Sequence, residues 1–322
     1  MKKDNYLIEC VPNISEGRDP QKIKAIIGDM QTMGVKIINT DMGYDTHRTV
    51  MTIIGPVNNM CNAIKYLYLN TAKEINMINH QGKHPRLGAV DICPFIPFHI
   101  EYTAHLISKI NYLAQEISDL LSIPVFLYAN SSTGNKTKTL PLIRKGGYEA
   151  LVSNSKKMTF PIDYGKAFIN KKFGGTVMGV RDFMIAYNVN ISTKDLGLAK
   201  LMAKKMRLYR EKVGCFNDKN IKPLQILGWY INSYGCCQIS TNIHNPRELS
   251  ITDVFDFVNT FCQYYGINAT SSELIGMMPQ FSVDLAEKAL KEKELTSLVK
   301  YLGLDFNGSF DWTKKILPQQ FL

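Results

Sequence analysis

The chain has 322 residues, 45% of them hydrophobic and 20% charged, which is ample for one large or two smaller buried cores and ordinary for a soluble protein. Its net charge is +10, 38 basic against 28 acidic side chains. Much of the excess sits in two stretches: residues 136–172 hold nine Lys/Arg against two acids, and residues 200–222 hold eight against two. These are either solvated faces or an attraction for a polyanion. No apolar run approaches the roughly 18 residues that a membrane helix needs, so a spanning segment is not expected.

The N-terminal Met1-Lys-Lys-Asp4 leads into an apolar run broken at Glu9, too short for a signal-peptide core. Tyr6 to Val11 reads as a strand ended by Pro12. Asp19 is placed to cap a helix with Pro20 at its first position, carrying Ile23, Ile26, Ile27 and Met30 at helical spacing as far as Gly34. Val35–Thr40 and Thr49–Ile54 read as strands, with a polar loop between them and Asp41 at a strand end. Val57, Cys61, Ile64, Tyr68, Thr71, Ile75 and Ile78 predict a long amphipathic helix. Val90 to Phe98 is extended, and its prolines argue for an edge or a bulge. Leu106 to Leu120 repeats as a helix and Pro124–Tyr128 follows as a strand, giving β-α-β-β-α-β in outline, the ferredoxin-like arrangement.

Residues 158–176 lack clean periodicity and read as a connecting loop. A second unit of the same order follows: Phe183–Asn190 as a strand, Ser192-x-x-Asp195 as a capping box for a helix through Tyr209, and a hairpin of Leu224–Ile231 with Cys236–Asn242. Ser250-x-x-Asp253 then caps another helix, and Ser282–Leu290 and Leu295–Leu302 form short ones. The expected class is therefore α/β (α+β) in two related units, residues 1–180 and 181–322. Seven cysteines, an odd and scattered count without C-x-x-C pairs, fit reduced thiols in the cytoplasm.

Chemistry concentrates between His80 and Pro97. Gly82 and Gly88 free the backbone, Pro85 biases His84 away from helix, and His84 is thereby displayed from a stiffened turn, a suitable mount for a general acid/base. His80 and His84 are four apart, but Gly82 and Pro85 exclude the helix that would make them joint metal ligands, so no metal is expected. Cys93, in the apolar run Ile-Cys-Pro-Phe, reads as a packed thiol.

Glu9-Cys-Val-Pro-Asn-Ile-Ser-Glu-Gly-Arg18, His47-Arg-Thr-Val50 and Gly82-Lys-His-Pro-Arg-Leu-Gly-Ala-Val-Asp-Ile-Cys-Pro-Phe-Ile-Pro97 are joined by Pro124–Tyr128, Thr139–Gly146, Ile185–Asn190, Ile226–Tyr230 and Gln238–Asn242. Together they resemble the glutamate formiminotransferase family over nearly the whole chain. The resemblance implies two ferredoxin-like subdomains with a ligand groove between them, a homodimer, and transfer of a formimino group from N-formimino-L-glutamate to N5 of tetrahydrofolate. A formyl donor on the same scaffold, or a non-catalytic folate carrier, stands as the alternative. His84 matches the catalytic histidine, and His80 has at most a supporting role. Asp41 matches an aspartate that would hold the amidinium charge, although a turn-forming Asp-x-Gly explains it nearly as well. Arg48 and Arg86, in matched motifs, are candidates to clamp the glutamate carboxylates, and either could instead serve a structural ion pair. By the same resemblance Gly165, Lys166, Ala167, Phe168, Ile169, Asn170, Lys171, Lys172, Phe173 and Gly174 contact folate. Lys166, Lys171, Lys172 and Phe173 depart from the family pattern, and added lysines suit a polyglutamate tail. A nucleic-acid-binding sheet would need an aromatic RNP strand, and the sequence has none.

Overall fold

Asp19 does cap a helix, its carboxylate accepting from the Gln21 and Lys22 amides, and Pro20 occupies the first turn. The computed structural model describes residues 5–132, 139–153, 162–165, 170–292 and 298–318. Its chain divides into two units, Met1–Asp182 and Phe183–Gln320.

The first unit runs β1 (Leu7–Cys10), β2 (Asn13–Ile14), α1 (Pro20–Ile27), β3 (Lys36–Gly43), β4 (Arg48–Pro56), α2 (Val57–Glu74), β5 (Val90–Pro97), α3 (Thr103–Leu121), β6 (Val125–Leu127), α4 (Leu140–Ile143), α5 (Gly147–Ser153) and β7 (Thr176–Val180). β1 and β2 form one broken strand between β4 and β5, and β3 pairs with β4. The order β3-β4-β1-β5 is ferredoxin-like. β7 and then β6 extend it with parallel pairings after the α3 crossover. One face of the sheet meets the helices: Ile8, Cys10, Met51, Ile53, Phe95 and Met178 pack with Met60, Ile64, Leu67, Ile110 and Leu113. Part of the opposite face carries a smaller core of Leu87, Ile92, Phe126, Tyr128, Ile143, Leu151 and Val177.

The alternation of β5 slips at one place. Ile14 faces Val90 while Asn13 faces Ile92, so Asp91 is the extra residue of a β-bulge. Val90, Cys93 and Phe95 enter the large core, Ile92 the smaller one. Without the slip, Asp91 would alternate into the same layer as Cys93 and Phe95.

The second unit comprises β8 (Ile185–Ile191), α6 (Leu196–Lys212), β9 (Cys215–Phe216), β10 (Lys219–Asn220), β11 (Leu224–Ile231), β12 (Cys236–Ile243), α7 (Ile251–Tyr264), β13 (Ala269–Ile275), α8 (Gln280–Glu292) and α9 (Leu298–Leu302). Its antiparallel sheet has the order β11-β12-β8-β13, again ferredoxin-like. Tyr187, Val189 and Ile191 pack beneath Met202, Met206, Val254, Phe257 and Val258. The other face is polar, with Asn188, Asn190, Gln238, Ser271 and Glu273 following the same alternation.

Several local expectations change: α2 stops at Glu74, so Ile75 and Ile78 lie beyond it, and β7 and β13 are strands that the sequence reading does not place. α1 ends at Gly28, whose φ of 44° leaves the helical region, and Gly34 closes only a 3₁₀ turn. The β3–β4 hairpin is longer than its apolar pattern, so Asp41 lies inside β3 opposite Val50 rather than at a strand end. Of the two alternatives for β5, edge or bulge, the bulge at Asp91 holds and the strand is central; Pro94 sits opposite the break between β1 and β2, where the Val11 amide donates to its carbonyl at 3.0 Å. Asp195 rather than Ser192 caps α6, accepting from Gly197 and Leu198, whereas Ser250 and Asp253 do make a reciprocal capping box on α7. Among the described residues no helix is long and apolar enough to cross a membrane.

Gly88 bridges Gly174 in close backbone contact. A Cβ at Gly88 would lie 2.5 Å from the Phe173 carbonyl oxygen and closer still to that of Gly175. Gly88→Ala should therefore lower stability by about 2 kcal/mol or more, read as a lower urea midpoint with an unchanged slope.

Candidate active site

Asp91 is fully buried and takes two guanidiniums: Arg48 Nη1 and Arg144 Nη2 both donate to Oδ2, and Arg144 Nε reaches Oδ1 at 3.2 Å. The Leu87 amide donates to Oδ1 at 2.9 Å. Burial alone would raise the Asp91 carboxyl, but the Arg144 and Arg48 charges outweigh it and hold it at about 2. Arg48 also donates through Nε to Asn13 Oδ1 at 2.9 Å; burial draws its guanidinium down to about 10, still charged at neutral pH. Two guanidiniums against one carboxylate leave a net positive charge.

That charge faces His84. The half-buried ring has Nδ1 2.7 Å from the Pro85 carbonyl oxygen, so Nδ1 carries the proton and Nε2 the lone pair. Burial, then the Arg48 and Arg144 charges, hold the imidazole well below its usual range, with Asp91 pulling weakly the other way. The ring is accordingly neutral at pH 7, able to accept a proton at Nε2.

The turn bearing His84 is strapped on both sides. His47, at φ 50°, directs Nδ1 at the Gln81 carbonyl (2.8 Å) and Nε2 at Glu16 Oε1 (3.2 Å). Its ring stacks on His80 at 4.3 Å. His80 Nε2 donates to the His47 carbonyl at 3.0 Å, and its Nδ1 accepts from Arg86 Nε at 3.0 Å. Burial lowers His80 to about 4, so this ring is neutral and fixed in one tautomer. Arg86 closes a bidentate pair on Glu149 of α5, at 2.8 and 3.0 Å. Glu16 accepts the Gly17, Arg18 and Asp19 amides at 2.8–3.1 Å; burial works against it, yet His47 and these amides lower its carboxyl to about 2.

Of the residues singled out in the sequence, His84 and Arg48 therefore come together around Asp91. Arg86 is engaged by Glu149 and His80. Asp41 shares the sheet face of Arg48, opposite Val50, but on the outer strand β3. Lys166, Ala167, Phe168 and Ile169 lie outside the described residues. Gly165 has φ 95°; Asn170 Oδ1 accepts the Lys172 and Phe173 amides, at 3.1 and 3.3 Å. Lys171 and Lys172 are exposed, while their carbonyls accept the Tyr148 hydroxyl and the Met77 amide, at 2.6 and 2.8 Å. Phe173 is 1% exposed and stacks on Tyr68, a core position, and Gly174 at φ 82° allows the close pass beside Gly88.

The sequence alone gives no role to Arg144, Glu16 or His47, and none to Asp91 beyond its place in the Gly82–Pro97 motif. One signal was available: an acid inside the apolar run Val90–Pro97 has to be paired if buried, which directs attention to arginines in other motifs. Among the described residues no group of three or more His, Cys, Asp or Glu is placed to hold a metal ion, and all seven cysteines are free thiols.

The family described as "Formiminotransferase domain, N-terminal subdomain" matches residues 7–181, and "Formiminotransferase domain" matches residues 186–320. The chain is 33% identical to the formimidoyltransferase-cyclodeaminase of Dictyostelium discoideum, over 97% of its own length but 60% of that protein. It is 28% identical to the glutamate formimidoyltransferase of Streptococcus pyogenes serotype M1, covering 98% of this chain and 99% of that one. For the Thermoplasma acidophilum glutamate formimidoyltransferase the values are 31%, 88% and 92%.

Asp91→Asn strands two buried guanidiniums and should cost about 3–5 kcal/mol. Glu149→Gln breaks a pair whose acid is 66% exposed and should cost under about 1 kcal/mol. Urea unfolding of both variants checks the contrast. Because Asp91 and Glu16 have folded values near 2, below their ordinary 3.8 and 4.5, their stabilisation is present above the ordinary range and lost as pH falls towards 2. Stability measured from pH 5 to 2 should decline across that window.

Proposed function

This chain belongs to the formiminotransferase family, and on that premise we propose that it transfers a formimino group from N-formimino-L-glutamate to N5 of tetrahydrofolate. The observation carrying this reading is a neutral imidazole, His84, set against the net positive cluster of Arg48, Asp91 and Arg144. N5 attacks the amidine carbon, its proton passes to His84 Nε2, and the tetrahedral intermediate collapses as a proton is returned to the departing glutamate nitrogen. A glutamate carboxylate bound by Arg48 or Arg144 would offset the charge that holds His84 down. Its basicity would then rise only when substrate is in place. Arg86 serves this site by holding the turn, and Asp41, on the same sheet face as Arg48, is the carboxylate we assign to the amidinium.

The exposed Lys171 and Lys172 suit a polyglutamylated folate. We place the enzyme in the cytoplasm as a homodimer without a metal; free thiols and the family's tendency to dimerise support that reading.

His84→Ala should lower turnover about 10²–10⁴-fold with folding intact, measured as formation of 5-formiminotetrahydrofolate, and wild-type turnover in that variant would remove His84 from the mechanism. Protonation removes the base, and the folded value is depressed, so the acid limb of kcat/KM should fall below pH 6.5 rather than at it. Exchanging Lys171 and Lys172 for Ala should raise KM for polyglutamylated tetrahydrofolate more than for the monoglutamate; equal effects would count against the tail contact.

A further inference from the structure

The sheet face that carries Arg48, to which Arg144 reaches from the end of α4, holds a second set of buried polar groups. Glu9, in the middle of β1, is 4% exposed, and its neighbours Ile8 and Cys10 point into the large core, so Glu9 points to the other face. No hydrogen bond reaches its carboxylate among the described residues. Burial pushes its carboxyl up to about 7, with the Arg181 charge opposing. Such a carboxylate is costly to keep unless donors are brought to it.

Arg181 follows the end of β7, its amide donating to the Phe95 carbonyl at 3.0 Å. Glu9 faces Ile96 and Phe95 faces Val180, so Glu9 and Arg181 flank Ile96 at two strand spacings, about 10 Å between backbones. One guanidinium nitrogen donates to the Asp182 carbonyl at 2.7 Å. Tyr128 completes the group: its buried hydroxyl lies against the Arg181 guanidinium and meets no partner in hydrogen-bonding geometry. Arg144 also acts on Tyr128, which joins this group to the His84 cluster along one face. At Gly179 the absent side chain lets the Tyr128 ring approach; a Cβ there would come within 3.0 Å of its Cδ1.

Side by side these groups offer two acceptors and then donors. The complementary ligand edge reads donor, donor, acceptor. A 2-amino-4-oxopyrimidine presents that pattern in its 2-amino group, N3–H and 4-oxo oxygen. We propose that Glu9, Arg181 and Tyr128 recognise the aminopyrimidinone edge of the pterin ring, Glu9 accepting from N3–H and the 2-amino group, Arg181 and Tyr128 donating to the 4-oxo oxygen. The proposal rests on the folate-dependent reading above and deepens it.

The test uses the full chain, with tetrahydrofolate and its 2-desamino analogue as the two ligands. The wild-type protein should bind tetrahydrofolate about 10- to 100-fold more tightly than the analogue, the loss attached to a charged hydrogen bond. In Glu9→Gln that ratio should fall towards one, with KM for N-formimino-L-glutamate unchanged. The variant should also melt no lower than wild type, since it removes a buried charge; a merely structural glutamate would show the reverse. Equal wild-type affinity for the two ligands, or a ratio that survives Glu9→Gln, overturns the proposal. Should Glu9→Gln not fold, the wild-type ratio decides alone. Wild-type turnover of tetrahydrofolate separates the two readings: without it both fall, and with it but without discrimination only this one does.

Discussion

One buried carboxylate organises the first unit. Asp91 gathers Arg48 from β4, Arg144 from the end of α4 and the Leu87 amide from the approach to β5, so three separate segments are tied to a single point. None of these charges is tolerable alone at such burial. The residual positive charge then does two things at once: it adds to burial in keeping His84 deprotonated, and it makes the surroundings attractive to an anion. The same imbalance of two cations over one anion thus contributes both to the acid/base state, alongside burial, and to substrate affinity.

The turn bearing His84 has little regular structure of its own, and its order comes from neighbours. Glu16, His47, His80, Arg86 and Glu149 form a chain of contacts from the loop before α1 to α5. Each member fixes the state of the next: Arg86 selects the His80 tautomer, and the His80 N–H in turn holds the His47 carbonyl. A loop held in this way can carry a reactive group with little reorganisation when substrate arrives.

Much of this arrangement was legible in the residues. Period-3.6 patterns located α2 and α3, and the Ser250 box located α7, whereas β7 and β13, which complete the two sheets, carry no alternation that the sequence reading registered as a strand. His84 was legible because Gly82 and Pro85 restrict the chain around it. Asp41 was misplaced relative to its strand because hairpin pairing carried β3 through polar residues that apolar periodicity does not register. Arg144 was opaque for a different reason: its partner is 53 positions away, and only tertiary pairing makes it more than another lysine-rich-loop cation. The polar face of the second unit is of the same kind, since Asn188, Gln238 and Glu273 acquire a common surface only once β8, β12 and β13 align.

The bulge in β5 has a consequence for how this scaffold tolerates change. Between Val90 and Ile92 the number of residues matters as much as their identity, because a single extra position sets the phase of everything that follows. Losing one residue there would send the acid towards Cys93 and Phe95 and strand two arginines, whereas many side-chain swaps nearby would leave the phase alone. Length, at that point in the strand, is itself an inherited part of the chemistry.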